Sequence, residues 1–270
     1  MADPKPINRR DLTNLTEFDL VQRGVKEPSV PGILTFIGLR GLDPFLQYKL
    51  LAGGWGTSIL ARLGVKTIGP VSALSTSGIP PHLILLGLSF ASAAKQSYWV
   101  TNLCAEKFEP GAALHVSTFN TVCNSLSSLL FLAASTSSLS SPVYHFPGTA
   151  LPYQVILGAA LSILGMALES ASEVQRKRFK AKPENEDKVC REGPWDWARH
   201  INYGAHVIWH AGYWLAASGW VAGLSMGMFQ ALDFVVRGVP VLDDYCAKRY
   251  GEQWSQFKKD VKWAMIPGIY

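Results

Sequence analysis

Three groups of residues between Arg176 and Tyr250 carry the kinds of side chain that hold a charged organic ligand. A basic run opens with Arg176-Lys177-Arg178 and continues through Lys180, Lys182, Lys188, Arg191 and Arg199. It encloses the string Gly193-Pro194-Trp195-Asp196-Trp197-Ala198-Arg199-His200-Ile201-Asn202-Tyr203. Downstream comes Asp243-Asp244-Tyr245-Cys246-Ala247-Lys248-Arg249-Tyr250-Gly251. Guanidinium forks and ammonium groups suit phosphate oxygens. Aromatic faces suit a stacked nucleobase, and carboxylates or amides accept hydrogen bonds from ribose hydroxyls. Together these residues predict a site for an anionic cofactor. The sequence holds no Gly-x-Gly-x-x-Gly string, so a Rossmann phosphate loop is excluded.

Other polar residues stand inside apolar stretches, where each needs a reason. Lys95, Gln96, Tyr98 and Asn102 cluster at the end of one stretch; Asn120 and Asn124 are a helical turn apart in the next, spaced to bond neighbouring helices. Glu169 closes a third. His206 and His210 share a helix face at metal-compatible spacing, yet no third ligand accompanies them. The four cysteines, Cys104, Cys123, Cys190 and Cys246, lack ligand or framework spacing and read as reduced thiols.

The elements that must position these groups follow from where charge is missing. Only 17% of the 270 residues are charged and 48% are hydrophobic. Residues 110–168 form a run of 59 without Asp, Glu, Lys or Arg; 67–94 and 200–232 form runs of 28 and 33. A spanning helix needs about 20 apolar residues, so an all-α, multi-pass transmembrane helix bundle of about six spans is expected. The spans fall within 31–63 (interrupted by Arg40, Asp43 and Lys49 and loosened by Gly53-Gly54), 82–100, 114–134 and 153–171. A tight hairpin over 200–241, turning near 218–224, supplies the last two. The uncharged loop 135–152 faces away from the cytosol, whereas the basic segments 174–199 and 237–262 stay in it. Both termini are then cytosolic, with the endoplasmic reticulum the expected membrane. The net charge of +5 gathers beside these runs, which argues for membrane topology and against nucleic acid. Three regions result: a polar tail 1–29 without a cleavable signal, helices 30–160 on the substrate side, and a C-terminal region 161–270 with a cytosolic cofactor site.

The segment Glu169-Ser-Ala-Ser-Glu-Val-Gln-Arg-Lys-Arg-Phe-Lys180, the Arg199-His-x-Asn-Tyr203 string and the Cys246-Ala-Lys-Arg-Tyr-Gly251…Trp254…Ile-Pro-Gly-Ile-Tyr270 ending resemble the C-terminal domain of the steroid 5-alpha-reductase superfamily. That superfamily includes the sterol reductases and, more distantly, the isoprenylcysteine carboxyl methyltransferases. The resemblance covers about 160–270; Lys95-Gln-Ser-Tyr-Trp99 is similar to a fungal branch. It implies NADPH as cofactor. Arg199, Asn202 and Tyr203 match the string that holds its pyrophosphate and nicotinamide region, and Trp195 matches the aromatic before it. Arg178 and Lys180 match basic positions suited to the 2′-phosphate; Asp243 and Tyr250 match the acidic and tyrosine positions of the tail. The family commonly reads His-Pro-Asn-Tyr-x-Gly-Glu or Gly-Asp, whereas Ile201 and His206 stand at the proline and acidic positions here.

The expected activity is NADPH-dependent reduction of a carbon–carbon double bond in a sterol-like or isoprenoid lipid entering from the bilayer. Tyr98 is the candidate acid and Lys95 the group that lowers its pKa. The alternatives are an S-adenosylmethionine-dependent membrane methyltransferase and a non-catalytic lipid-binding protein of the same fold.

Overall fold

The computed structural model describes residues 19–22, 24–27, 29–69, 79–140, 145–147 and 151–270. Most of the polar tail 1–29 therefore lies outside the described residues. Helix α1 spans Val30–Leu51, α2 Trp55–Arg62, α3 Pro81–Tyr98, α4 Pro110–Leu132, α5 Tyr153–Lys180, α6 Ile201–Asp233, α7 Val239–Tyr250 and α8 Glu252–Asp260. Among the described residues there is no strand, only isolated bridges such as Gln22 with Lys107 and Thr67 with Ala133.

Prolines at the first turns of α1, α3 and α4 fit there because no intrahelical bond is lost. The stretch 31–63 is two helices rather than one. Chain reversal at Ala52–Gly54, with Gly54 at a φ of +80°, turns the short α2 aside. Helix α6 is a hairpin of two arms, 201–217 and 220–233. Ser218 and Gly219 leave helical geometry, and Gly219 has a φ of +75°, where a side chain would be strained. The arms fold back far enough that a Cβ on Gly223 would lie 3.0 Å from the Ala211 carbonyl. Ser138 closes the turn: its hydroxyl donates to the Ala216 carbonyl at 2.8 Å and its N–H to the Ala217 carbonyl at 3.0 Å, satisfying helix-end acceptors.

Small residues set the tightest packing. Gly158, Ser162 and Gly165 of α5 meet Gly212 and Ala205 of α6. A Cβ on Gly212 would stand 2.6 Å from the Gly158 carbonyl, and one on Gly165 2.8 Å from that of Ala205. Ser162 also donates across the seam to the Trp209 carbonyl at 3.0 Å. Close approach through small residues is how apolar helices associate without a water-driven force.

Polarity is inverted along α1. Arg40, Asp43 and Gln47 are buried, whereas Leu34, Leu42 and Phe45 are about 60% exposed. Val221, Leu224 and Met228 likewise point outward from the second arm of α6. Two helical stretches, Tyr153–Lys180 and Ile201–Tyr250, are long and apolar enough to cross a membrane; by that measure the structure supports two of the six expected passes. Beyond α6 a five-residue π-turn, Phe234–Gly238, leads into α7. Leu242, Tyr245, Trp254, Phe257 and Val261 then form a small core of their own. The chain end runs back beneath α6, the Arg199 and His200 N–H groups bonding the Trp263 and Ala264 carbonyls at 3.1 and 2.7 Å.

Candidate functional site

Helix ends converge on one cavity of about 240 Å³. Helix α1 brings Phe36, α3 brings Lys95 and Gln96, and the following turn brings Trp99. Helix α5 contributes Glu169, Glu173 and Arg176, a set at i, i+4 and i+7 that shares one face. Asn202, Tyr203 and His206 come from the first turns of α6, and Phe234 and Arg237 from its exit. Asp19, Leu20 and Val21 close another side. That segment is held to the loop before α4 by the Gln22 N–H to the Lys107 carbonyl at 3.0 Å and the Gly24 N–H to Glu106 at 3.1 Å.

The wall is charged but balanced. Lys95 forms an ion pair with Glu169. Trp209 Nε1 donates to the other Glu169 oxygen at 2.8 Å, and His206 Nδ1 lies 3.4 Å from Glu169 Oε1. A carboxylate from α5 thus stands beside His206 across the helix interface. Arg176 donates to Glu173 at 2.6 Å, and Asn202 Nδ2 donates to the second Glu173 oxygen at 2.7 Å. Arg237 forms two bonds with Asp233, at 2.9 and 2.6 Å. Every basic side chain lining the cavity therefore faces a carboxylate. Aromatic rings supply much of the remaining surface: Tyr203 stacks on Phe234 at 4.4 Å between centroids, and Phe108 meets Phe36 and Trp99 edge-on at 5.4 and 5.9 Å.

The sequence-predicted residues fall into separate places. Lys95, Asn202 and Tyr203 line the cavity. Tyr98 is 47% exposed and does not line it, because Lys95 and Trp99 occupy the inward face of the turn. Lys180 Nζ bonds the Tyr250 hydroxyl at 3.0 Å and sits 4.6 Å over its ring, in a second basic cluster with Arg249. Arg178 is exposed. Arg199 spends one nitrogen on the Val261 and Lys262 carbonyls at 2.6 and 3.0 Å, pinning the chain end. Trp195 is buried, donating to the Ser172 carbonyl at 2.9 Å beneath Arg176. Asp243 joins α7 to α8 through Trp254 and Lys258, at 2.8 and 2.9 Å.

Site residues to which sequence reasoning gave no role in the site include Glu169, Glu173, His206, Gln96, Trp99, Phe234, Arg237 and Asp19. The i, i+4, i+7 spacing of Glu169, Glu173 and Arg176 was the available signal. His206 and His210 belong to no metal cluster: among the described residues no three potential ligands gather.

The family described as "Protein of unknown function (DUF1295)" matches residues 117–261. A protein of Ustilaginoidea virens, "Probable O-methyltransferase ustE", is 35% identical over 267 residues, covering 94% of this chain and 92% of that one. A Delta(14)-sterol reductase of Neurospora crassa is 26% identical over 43% of this chain and 33% of its own length. Another from Schizosaccharomyces pombe is 28% identical over 41% and 29%. The chain thus spans about a third of the length of those reductases.

Proposed function

The chain belongs to the DUF1295 family, and from that premise we propose that it is a multi-pass membrane O-methyltransferase using S-adenosylmethionine. The acceptor is a hydroxyl group on a lipid-soluble molecule. One observation carries this reading: the three cations of the cavity wall, Lys95, Arg176 and Arg237, are each neutralised by a carboxylate. A cofactor bearing a pyrophosphate and a further phosphate would enter with several negative charges and meet no surplus cation. A sulfonium ligand reverses the demand. It is drawn to aromatic faces and carboxylates, which Trp99, Tyr203, Phe234, Asp19 and Glu173 provide. The relative from Ustilaginoidea virens, matched along nearly its whole length, supports the same reading.

The inverted polarity of α1, the small-residue seam between α5 and α6 and the two long apolar stretches support placement in a bilayer, with further passes by α1, α3 and α4. The cavity then opens at the end that bears the basic segment 174–199, on the cytosolic side.

When bound, S-adenosylmethionine would supply an electrophilic methyl carbon whose sulfur leaves as a neutral thioether. Trp99, Tyr203 and Phe234 would hold that end, and Glu173 with Asp19 would receive the ammonium group. His206 takes the proton lost by the acceptor hydroxyl. Its Nδ1 faces Glu169, so the other ring nitrogen is the base, and the carboxylate steadies the imidazolium that results. Lys95 pairs with that carboxylate and holds it in place.

A second reading, NADPH-dependent reduction of a carbon–carbon double bond in a sterol-like or isoprenoid lipid, is favoured by the sterol reductase relatives. It also gains from the Lys180, Arg249 and Tyr250 cluster, a ready phosphate contact outside the cavity. The two readings separate in one assay. Purified protein is incubated with labelled methyl donor and a panel of hydroxylated apolar acceptors, or with NADPH and the matching enones and alkenes. Label entering the organic phase is the expected result; nicotinamide oxidation without methyl transfer would overturn it.

A further inference from the structure

Two amide side chains in the cavity have orientations fixed by chemistry. Asn120 Nδ2 donates to the Val116 carbonyl at 2.8 Å. A carbonyl can only accept, so Asn120 must turn its Oδ1 toward Gln96, which donates Nε2 to it at 3.1 Å. Gln96 Oε1 is left buried without a partner, on a residue only 6% exposed. The same logic holds for Asn202. Its Nδ2 faces Glu173, an acceptor on both oxygens, and its Oδ1 is buried and unpartnered. Neither amide can flip without setting oxygen against oxygen. Both residues line the one cavity, whose basic groups already face carboxylates.

Buried polar atoms seldom stay unpaired without a role. Two orphaned carbonyl oxygens ask for a ligand that donates. We infer that Gln96, supported by Asn202, selects the substrate by accepting a hydrogen bond from its hydroxyl group as it binds; the hydroxyl turns that one proton to His206 only at transfer. The class recognised is a free alcohol or phenol on an apolar skeleton, in preference to the corresponding ketone, ester or ether. A carbonyl or ether oxygen would be brought against Gln96 Oε1 with no proton between them. A site that bonds a hydroxyl rejects analogues lacking it far more strongly than an apolar pocket rejects a size change. The inference deepens the methyl-transfer reading and rests on it for what becomes of the hydroxyl; it also implies that the methylated product, having lost its donor, leaves the site readily.

The test is calorimetric binding of a long-chain 4-alkylphenol and of its methyl ether to the full-length protein at fixed detergent concentration. The phenol is expected to bind at least tenfold more tightly, and Gln96→Met to reduce that ratio severalfold or more. Because Gln96→Met also strips Asn120 of its donor, the paired variant Gln96→Met/Asn120→Leu is measured beside it, with an unchanged thermal melt as the folding control. Equal affinity for phenol and ether in the wild type overturns the inference, and so does a preference that survives both variants. Binding of S-adenosylmethionine is followed separately. A phenol preference without S-adenosylmethionine uptake would support hydroxyl selection while sinking the methyl-transfer reading.

Discussion

Two polar clusters sit within the same apolar bundle, and they differ in whether they border open space. Halfway along α1, Asp43 accepts from Arg40 at 3.0 Å, from Asn124 at 2.6 Å and from Gln47 at 2.9 Å. Arg40 reaches Ser92 at 3.2 Å, and Ser128 donates to Gln47 at 2.7 Å. Arg40, Asp43 and Gln47 are at most 1% exposed; the network joins α1, α3 and α4, its three residues do not line the cavity, and Arg40 Nε has no partner in it. Around Glu169 and Glu173 the same residue types border open space, and the amide oxygens of Gln96 and Asn202 have no partner. A polar network closed in by helices fixes their register; one that lines a cavity can meet a ligand.

The comparison breaks most severely at Asp43. Asp43→Leu leaves the Arg40 guanidinium buried and uncompensated, a loss of about 3–5 kcal/mol by the usual cost of breaking a buried pair. The protein should fail to elute as a monodisperse species, or melt far below wild type; a near-normal melt would show that the cluster is not what holds α1. His206→Asn acts on rate rather than on folding. Removing a positioned base costs about a hundredfold or more in methyl transfer, with S-adenosylmethionine affinity kept; an unchanged transfer rate would remove His206 from the reaction. Glu173→Gln should fold, since the amide retains an acceptor for Arg176, and weaken S-adenosylmethionine about tenfold, or about 1.4 kcal/mol; unchanged affinity would remove Glu173 from the ligand contacts.

The smallest effect lies at the surface. Hydrogen bonds from Gln256 and Arg191 hold the Asp260 carboxyl below its usual range. Its folded pKa is depressed, so its contribution is complete above the ordinary carboxylate range and fades as pH falls through the lowered value. Thermal melts across acidic pH should show Asp260→Asn differing slightly from wild type near neutrality and converging with it at low pH. A gap that persists into strong acid would contradict the pairing.

Much of the architecture was legible because it is written in local patterns. The charge-free runs mark α3, α4 and α5, and the reversal at Ser218–Gly219 falls where the apolar stretch is too long for one pass and too short for two loose ones. The break between α1 and α2 falls at the glycines that weaken the first run. The pairing of charges across helices was not legible. Arg40 and Asp43 read as interruptions of a span, although with Gln47 they stand at i, i+3 and i+7 and so share the buried face. Counting cations in the C-terminal region suggested a phosphate pocket because a linear sequence does not show what each one bonds: Arg176 faces Glu173. Arg199 offered the same temptation, while its guanidinium serves two backbone carbonyls. Tyr98 lies one residue from the inward face, a difference of about 100° on a helix.

Equilibrium calorimetry with S-adenosylmethionine and NADPH, each titrated into the detergent-purified protein and then each in the presence of the other, tests the neutral-cavity account most directly. Saturable S-adenosylmethionine binding, lost or sharply weakened in Glu173→Gln and untouched by NADPH, is the predicted result. Tight NADPH binding that depends on Lys180 and excludes S-adenosylmethionine would contradict it.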